Sequence, residues 1–225
     1  REITILPGWN IADVAQYLEK EEIASAEEVT GFLGMPAVIY SGRDLVIDEI
    51  AQLPIFAEKP KGISYEGYLR PDTFRFVHDA SMQDILLRLL SERQKEFTQQ
   101  MLSDIDAAGR SVHEVLTIAS LLEKEVRSPK EKAIVSDLFW RRLDAGWPLQ
   151  ADSTVHYLVG GGKGSVFTTA RDREIDSLYN TYKYPGLPPG PISMPSVASI
   201  MAAIYPEKND YWYFLTTLDT GEVKY

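Results

Sequence analysis

The 225-residue chain contains no cysteine. A disulfide framework, a zinc–thiolate site and a cysteine nucleophile are therefore excluded. The absence does not choose a compartment, because the cytosol and a bacterial envelope are both compatible with it. Histidine is scarce: only His78, His113 and His156 occur, far apart in the chain, so no metal site is expected. Basic residues are outnumbered, with 23 Lys and Arg against 33 Asp and Glu and a formal charge of −10. A nucleic-acid partner, which needs a basic face to neutralise phosphates, is not expected. No apolar run approaches the roughly 20 residues of a membrane helix, and no secretory signal is visible. Internal repeats and low-complexity tracts are also missing.

The rest of the composition is that of an ordinary globular protein, 44% hydrophobic and 25% charged. The length suits one or two domains. The chain opens on Arg1 and closes on the strand-like GEVKY, and it reads as a piece of something longer.

Arg1 to Leu6 alternates β-branched and polar residues, a short strand. Asn10 is a good N-cap for a helix beginning IADVAQYLEK, and Ser25 to Glu28 is a capping box for a helix over Ala26 to Leu33. Gly34 to Lys61 reads as irregular connection with a helical piece near Asp48 to Gln52. Ser81 caps one long amphipathic helix, with Ile85, Leu86, Leu89, Leu90, Phe97, Met101 and Ile105 at helical spacing. A helix from His113 to Val126 follows, then a capped helix from Ser128 to about Leu143, and a shorter one from Asp152 to Val159. Gly160 to Gly164 (GGGKG) reads as a flexible loop; it lacks the phosphate-loop pattern, so a nucleotide site is not expected. A helix from Ser196 to Ile204 and a strand DYWYFLTTL complete an α+β chain, mainly helical in its middle.

Two segments carry candidate chemistry. The first is LTIASLLEKE, Leu116 to Glu125. On a helical wheel Val115, Ile118, Ala119, Leu121, Leu122 and Val126 make a broad apolar arc, with Lys124 opposite. Glu125 falls inside the arc and Glu123 near its edge. A carboxyl in apolar surroundings loses hydration and gains a raised pKa, as a general acid requires. Periodicity does not choose between Glu123 and Glu125, and on the pattern alone the more ordinary reading places both at the flanks, paired with Lys124 or Arg127 in solvent. The second segment is YNTYKYPGLPPGPI, Tyr179 to Ile192. Asn180 can donate and accept together, Tyr179 and Tyr182 offer ring faces and hydroxyls, and the prolines stiffen the loop. The strip reads as a groove wall for a carbohydrate, or as turn scaffold with core tyrosines. In SYEGYLRPDT, Glu66 is a candidate second polar wall and Pro71-Asp72-Thr73 a turn. Asp152 reads as an N-cap rather than a second catalytic carboxylate.

In that order, YEGYLRPDTFRF, LTIASLLEKE, LQADSTVHYL and YNTYKYPGLPPGPI resemble the YceG-like, or MltG-type, endolytic murein transglycosylases. The resemblance covers Ser64 to Tyr225 and, more loosely, the N-terminal unit. It implies a small LysM-like strand-helix-helix module within residues 1–60 and a catalytic domain over 61–225, C-terminally incomplete. It also implies an N-terminal membrane helix outside this chain, placing the protein on the extracytoplasmic face of a bacterial membrane. The implied reaction cuts the β-1,4 bond between N-acetylmuramic acid and N-acetylglucosamine in nascent peptidoglycan and leaves a 1,6-anhydro end. No cofactor is implied. The last glutamate of the EKE motif, Glu125, is the implied acid and base, and penicillin-binding proteins are the implied partners. Lys224 stands about where the family often has a histidine, and Arg70 where it often has an aromatic or apolar residue. A locally neutral or basic groove is expected, using Arg70, Arg127 or Arg171. A non-catalytic wall-binding module and a glycoside hydrolase using Glu125 with Asp152 or Glu66 are the competing readings.

Overall fold

Short local signals set most of the helix starts. A computed structural model describes residues 1–160, 168–217 and 222–225. Strand β1 (Glu2–Thr4) turns through Gly8, at φ 81°, into α1 (Ile11–Lys20). The Asn10 side chain accepts from Asp13 N–H, and the Asp13 carboxylate accepts from Asn10 N–H, both at 2.9 Å. Helix α1 buries Ile11, Val14, Ala15 and Leu18, one stripe at helical spacing. Ser25 and Glu28 form the same reciprocal cap for α2 (Ala26–Leu33). Residues 48–52 form turns, and the helical turn of this connection falls at Pro54–Phe56, where proline occupies the favoured first position.

Strand β1 pairs antiparallel with β2 (Thr73–Arg75), in the register Glu2↔Arg75, Ile3↔Phe74, Thr4↔Thr73. The sheet thus joins the two sides of residue 60, and one cluster of buried apolar side chains runs from Ile3 to Val223.

The single long helix expected after Ser81 is two helices, α3 (Met82–Lys95) and α4 (Gln99–Ala107). Thr98 is extended (φ −72°, ψ 160°) and its hydroxyl accepts from Met101 N–H at 3.2 Å, so the backbone restarts there. The expected apolar stripe nevertheless lies in the core throughout. Helix α5 (Val112–Glu125) is central, packing against α4, α6 (Pro129–Asp144), α7 (Asp152–Leu158) and α8 (Val197–Ile204). It is buried on every face from Val115 to Leu122. Its two polar residues there turn back on the helix: Thr117 donates to His113 O and Ser120 to Thr117 O, each at 2.7 Å.

The expected strand DYWYFLTTL is shorter than its sequence. Among its described residues, the strand proper is Leu215–Thr216 (β3), paired with β4 (Val223–Lys224). Upstream, the backbone is taken by arginines instead: Arg141 donates to Tyr211 O at 3.2 Å and Arg142 Nε to Trp212 O at 2.8 Å. Of the GGGKG loop only Gly160 lies within the described residues.

Candidate active site

Glu125 ends α5, and the next residue, Val126, is extended (φ −140°, ψ 152°). That break places the Glu125 side chain, half-buried, against the start of α7, where Ser153 N–H donates to Oε1 at 3.0 Å. Burial pushes the Glu125 carboxyl above the ordinary glutamate value; hydrogen bonding from Ser153 draws it part of the way back, and nearby Asp152 pushes it up. Among the described residues Glu125 has no ion pair with lysine or arginine. Glu123, two positions earlier, is held in the opposite state. Its Oε2 accepts from Ser196 N–H at 2.9 Å and from the Ser196 and Ser199 hydroxyls at 2.6 Å, and pairs with Lys132 at 3.1 Å. Burial works upward on Glu123 too, but these partners outweigh it and keep the carboxyl below its usual range. Two glutamates on one helix are thereby separated into a fixed anion and a carboxyl whose pKa burial raises, the direction a general acid requires.

Asp152 does not cap α7. Ala151 occupies the N-cap position, without any side-chain hydrogen bond, and Asp152 already has helical geometry inside the first turn. Its Oδ1 accepts from the Tyr182 hydroxyl at 2.7 Å and from Thr168, and meets Arg173 at 3.4 Å. The Arg173 guanidinium lies over the Tyr182 ring, 4.6 Å from its centroid. Burial and the bond to Asp152 push the Tyr182 phenol up, so its hydroxyl remains a donor at neutral pH. The site therefore combines a protonatable carboxyl, a fixed partly exposed carboxylate, a phenol and an arginine. That set can give and take a proton at an ether oxygen and stabilise positive charge beside it.

A model of the YceG-like family matches residues 1–225. The chain belongs to the YceG-like family. It is 35% identical over 223 residues to an endolytic murein transglycosylase of Bacillus subtilis, a match covering 99% of this chain and 60% of that protein. It is 29% identical over 232 residues to an endolytic murein transglycosylase of Streptococcus pneumoniae, covering 99% and 42% respectively. A crystal structure of a yceG-like protein from Listeria monocytogenes superposes with a TM-score of 0.82 at 32% identity, over 99% of this chain and 72% of the other. The chain thus spans about 60% or less of the curated relatives' lengths.

The other residues nominated from sequence are placed differently within this YceG-like fold. Asn180 is fully buried: its amide donates to Arg173 O at 2.9 Å and Ile175 O at 2.8 Å, and its carbonyl accepts from Tyr182 N–H at 3.1 Å. With these groups engaged it shapes the loop that presents Arg173 and Tyr182. Glu66 and Tyr179 are also enclosed, around Tyr157 at the far end of α7. Both Glu66 oxygens accept from Ile11 N–H at 3.1 Å and Oε2 accepts from the Tyr157 hydroxyl at 3.1 Å; the Tyr157 and Tyr179 rings are 5.5 Å apart. Glu66 is thus an interior post where an open groove wall was expected. Of the five nominated residues, Glu125 and Tyr182 bring their side-chain oxygens to the start of α7 and Asp152, and Asn180 braces the backbone of Arg173 and Tyr182. Arg70 is engaged elsewhere, with Asp72, Glu92 and Glu96. The arginine of the site is Arg173, which sequence reasoning passed over, because nothing local marks its stacking on a ring nine residues later.

The proline-rich strip is fastened along α5. Burial pushes the His113 imidazole down, toward its neutral form. Nε2–H then donates to Pro189 O and Nδ1 accepts from the Tyr68 hydroxyl, both at 2.8 Å. Ile192 N–H donates to Ser120 Oγ at 3.0 Å. Gly67, at φ 80°, passes so close to the strip that a Cβ there would lie 2.5 Å from Pro191 Cβ. A cavity of about 710 Å³ between α4, α6 and α8, walled by Trp140 and Trp212, contains none of the nominated residues. No group of three or more His, Asp or Glu positioned to hold a metal occurs among the described residues, and none of their helices is long and apolar enough to cross a membrane.

Proposed function

We propose that this chain carries the catalytic part of an endolytic murein transglycosylase, with Glu125 as its single acid and base. The observation that supports this most is the divergence of the two glutamates: Glu123 is pinned by Lys132, Ser196 and Ser199, while Glu125 has no cationic partner among the described residues and burial raises its pKa against the first turn of α7. The curated relatives' names supply the substrate class, murein.

Protonated Glu125 donates to the glycosidic oxygen between N-acetylmuramic acid and N-acetylglucosamine, and the C–O bond to the muramic acid anomeric carbon breaks. The carboxylate so formed takes the proton of the muramic acid 6-hydroxyl as that oxygen closes on the anomeric carbon. A 1,6-anhydro end results, no water is consumed, and the acid is regenerated. Acid–base help of this kind contributes roughly 10²–10⁴-fold. In this reading Asp152, held by Tyr182 and Arg173, stabilises the positive charge that develops on the sugar. Tyr182 and Arg173 offer a ring edge and a cation to the same sugar or its acidic substituent.

In this reading β1, α1 and α2 form a LysM-like module whose sheet β2 closes, gripping the strand away from the chemistry. The parent protein is anchored by a membrane helix outside this chain, works on the extracytoplasmic face and acts beside penicillin-binding proteins, ending nascent strands. Mass spectrometry of uncrosslinked peptidoglycan strands after incubation with the chain tests the reaction. Anhydro-ended fragments are expected. Fragments with reducing ends would replace the lyase by a hydrolase using Asp152 as second carboxylate, and intact strands would leave a binding module.

A further inference from the structure

Helix α7 is seven residues long, about 10 Å. A helix so short has little stability of its own, and its position is set by what holds its two ends. Its first turn carries both Asp152 and the Ser153 N–H that meets Glu125. That end is tied to the Tyr-Asn segment through Thr181, whose hydroxyl accepts from Ala151 N–H and pairs with the Thr154 hydroxyl, each at 3.0 Å. The other end is held through the Tyr157 hydroxyl. It donates to Glu66 at 3.1 Å and accepts from Ala37 N–H at 3.0 Å. Glu66 in turn is fixed by Ile11 N–H, the first amide of α1. One fully buried carboxyl therefore joins the N-terminal unit to the helix that faces the catalytic glutamate.

We infer that Glu66 is a positioning residue: through Tyr157 it sets α7 so that Ser153 N–H meets the Glu125 carboxyl. The inference rests on the reading of Glu125 as the acid. It gives the N-terminal unit a part in the chemistry besides holding substrate, since α1 fixes Glu66, Glu66 fixes α7, and α7 tunes Glu125. Burial pushes the Glu66 carboxyl up to about 8, with Asp13 adding to the effect and Ile11 and Tyr157 opposing it. At neutral pH it therefore serves mainly as a neutral hydrogen-bonding post, a role an amide can reproduce.

The test is a carboxyl ¹³C NMR titration of Glu125 in the wild type and in Tyr157→Phe, Glu66→Ala and Glu66→Gln, with steady-state cleavage of peptidoglycan strands alongside. Ser153 N–H favours the charged form of Glu125, so loosening α7 raises the Glu125 pKa further. Tyr157→Phe and Glu66→Ala are expected to move the Glu125 titration to higher pH and to lower kcat roughly 10- to 100-fold while KM holds within about twofold. Glu66→Gln is expected to restore both readouts. A merely structural Glu66 lowers the unfolding temperature and leaves the Glu125 titration in place; that result, in Tyr157→Phe or in folded Glu66→Ala, overturns the inference. If Glu66→Ala does not fold, Tyr157→Phe decides alone. The titration needs no turnover, so it is read independently of whether Glu125→Gln abolishes cleavage, the result on which the functional reading itself depends.

Discussion

Replacing Glu66 by glutamine should change how stability depends on pH. The carboxyl is completely enclosed, and its pKa is pushed from 4.5 to about 8, first by burial. The folded value lies above the unfolded one, so the folded state holds the proton more tightly. This contribution to stability is complete below about pH 4.5 and is lost as pH rises through about 8. The difference of about 3.5 (8 minus 4.5), at 1.36 kcal/mol per pH unit, comes to about 5 kcal/mol. That is a large share of the roughly 5–15 kcal/mol that stabilises a domain. Glutamine has the same shape, keeps an acceptor oxygen for Ile11 and Tyr157, and does not titrate. Urea unfolding of both proteins from pH 4 to pH 9 isolates the effect, because every other titrating group cancels in the difference. The wild type should lose several kcal/mol relative to Glu66→Gln between the two ends of that range. Parallel curves would refute the reasoning and show that Glu66 reaches water or a compensating charge.

Three further outcomes are expected. Glu123→Ala leaves Lys132 and the Ser196 and Ser199 donors without their acceptor; it should cost about 3 kcal/mol in urea unfolding, with any loss of cleavage tracking the unfolded fraction. Gly67→Ala forces a left-handed alanine against Pro191; a loss of about 2–4 kcal/mol by calorimetry is expected, and an unchanged unfolding temperature would show that the strip can move aside. Asn180→Ala strands the carbonyls of Arg173 and Ile175; it should lower the unfolding temperature by roughly 5–10 °C and raise KM, since the loop presenting Arg173 and Tyr182 loses its brace.

What the sequence disclosed tracks how local each interaction is. The caps at Asn10, Ser25, Ser81 and Ser128 each close within three residues, and all four start helices as expected. The break at Thr98 was hidden because the apolar stripe continues across it. Strand β2 is three residues long, too short to carry a periodic signal, and its partner lies at the start of the chain. The choice between Glu123 and Glu125 was not contained in α5 at all. Ser196, which pins Glu123, is 73 residues away, and Ser153, which meets Glu125, is 28 residues away. Asp152 looked like a cap because Asp before a helix usually is one; only the fold brings Tyr182 to its carboxylate. Glu66 and Tyr179 read as groove-wall candidates from sequence, but their enclosure around Tyr157 comes from packing that no single segment records.

The most direct test of the account compares strand cleavage by the wild type, Glu125→Gln and Glu123→Gln, each confirmed folded. Glu125→Gln should lose at least the roughly 10²–10⁴-fold that acid–base catalysis contributes, while Glu123→Gln keeps cleavage in proportion to its folded fraction. Wild-type cleavage by Glu125→Gln, with activity lost in Glu123→Gln instead, would contradict it.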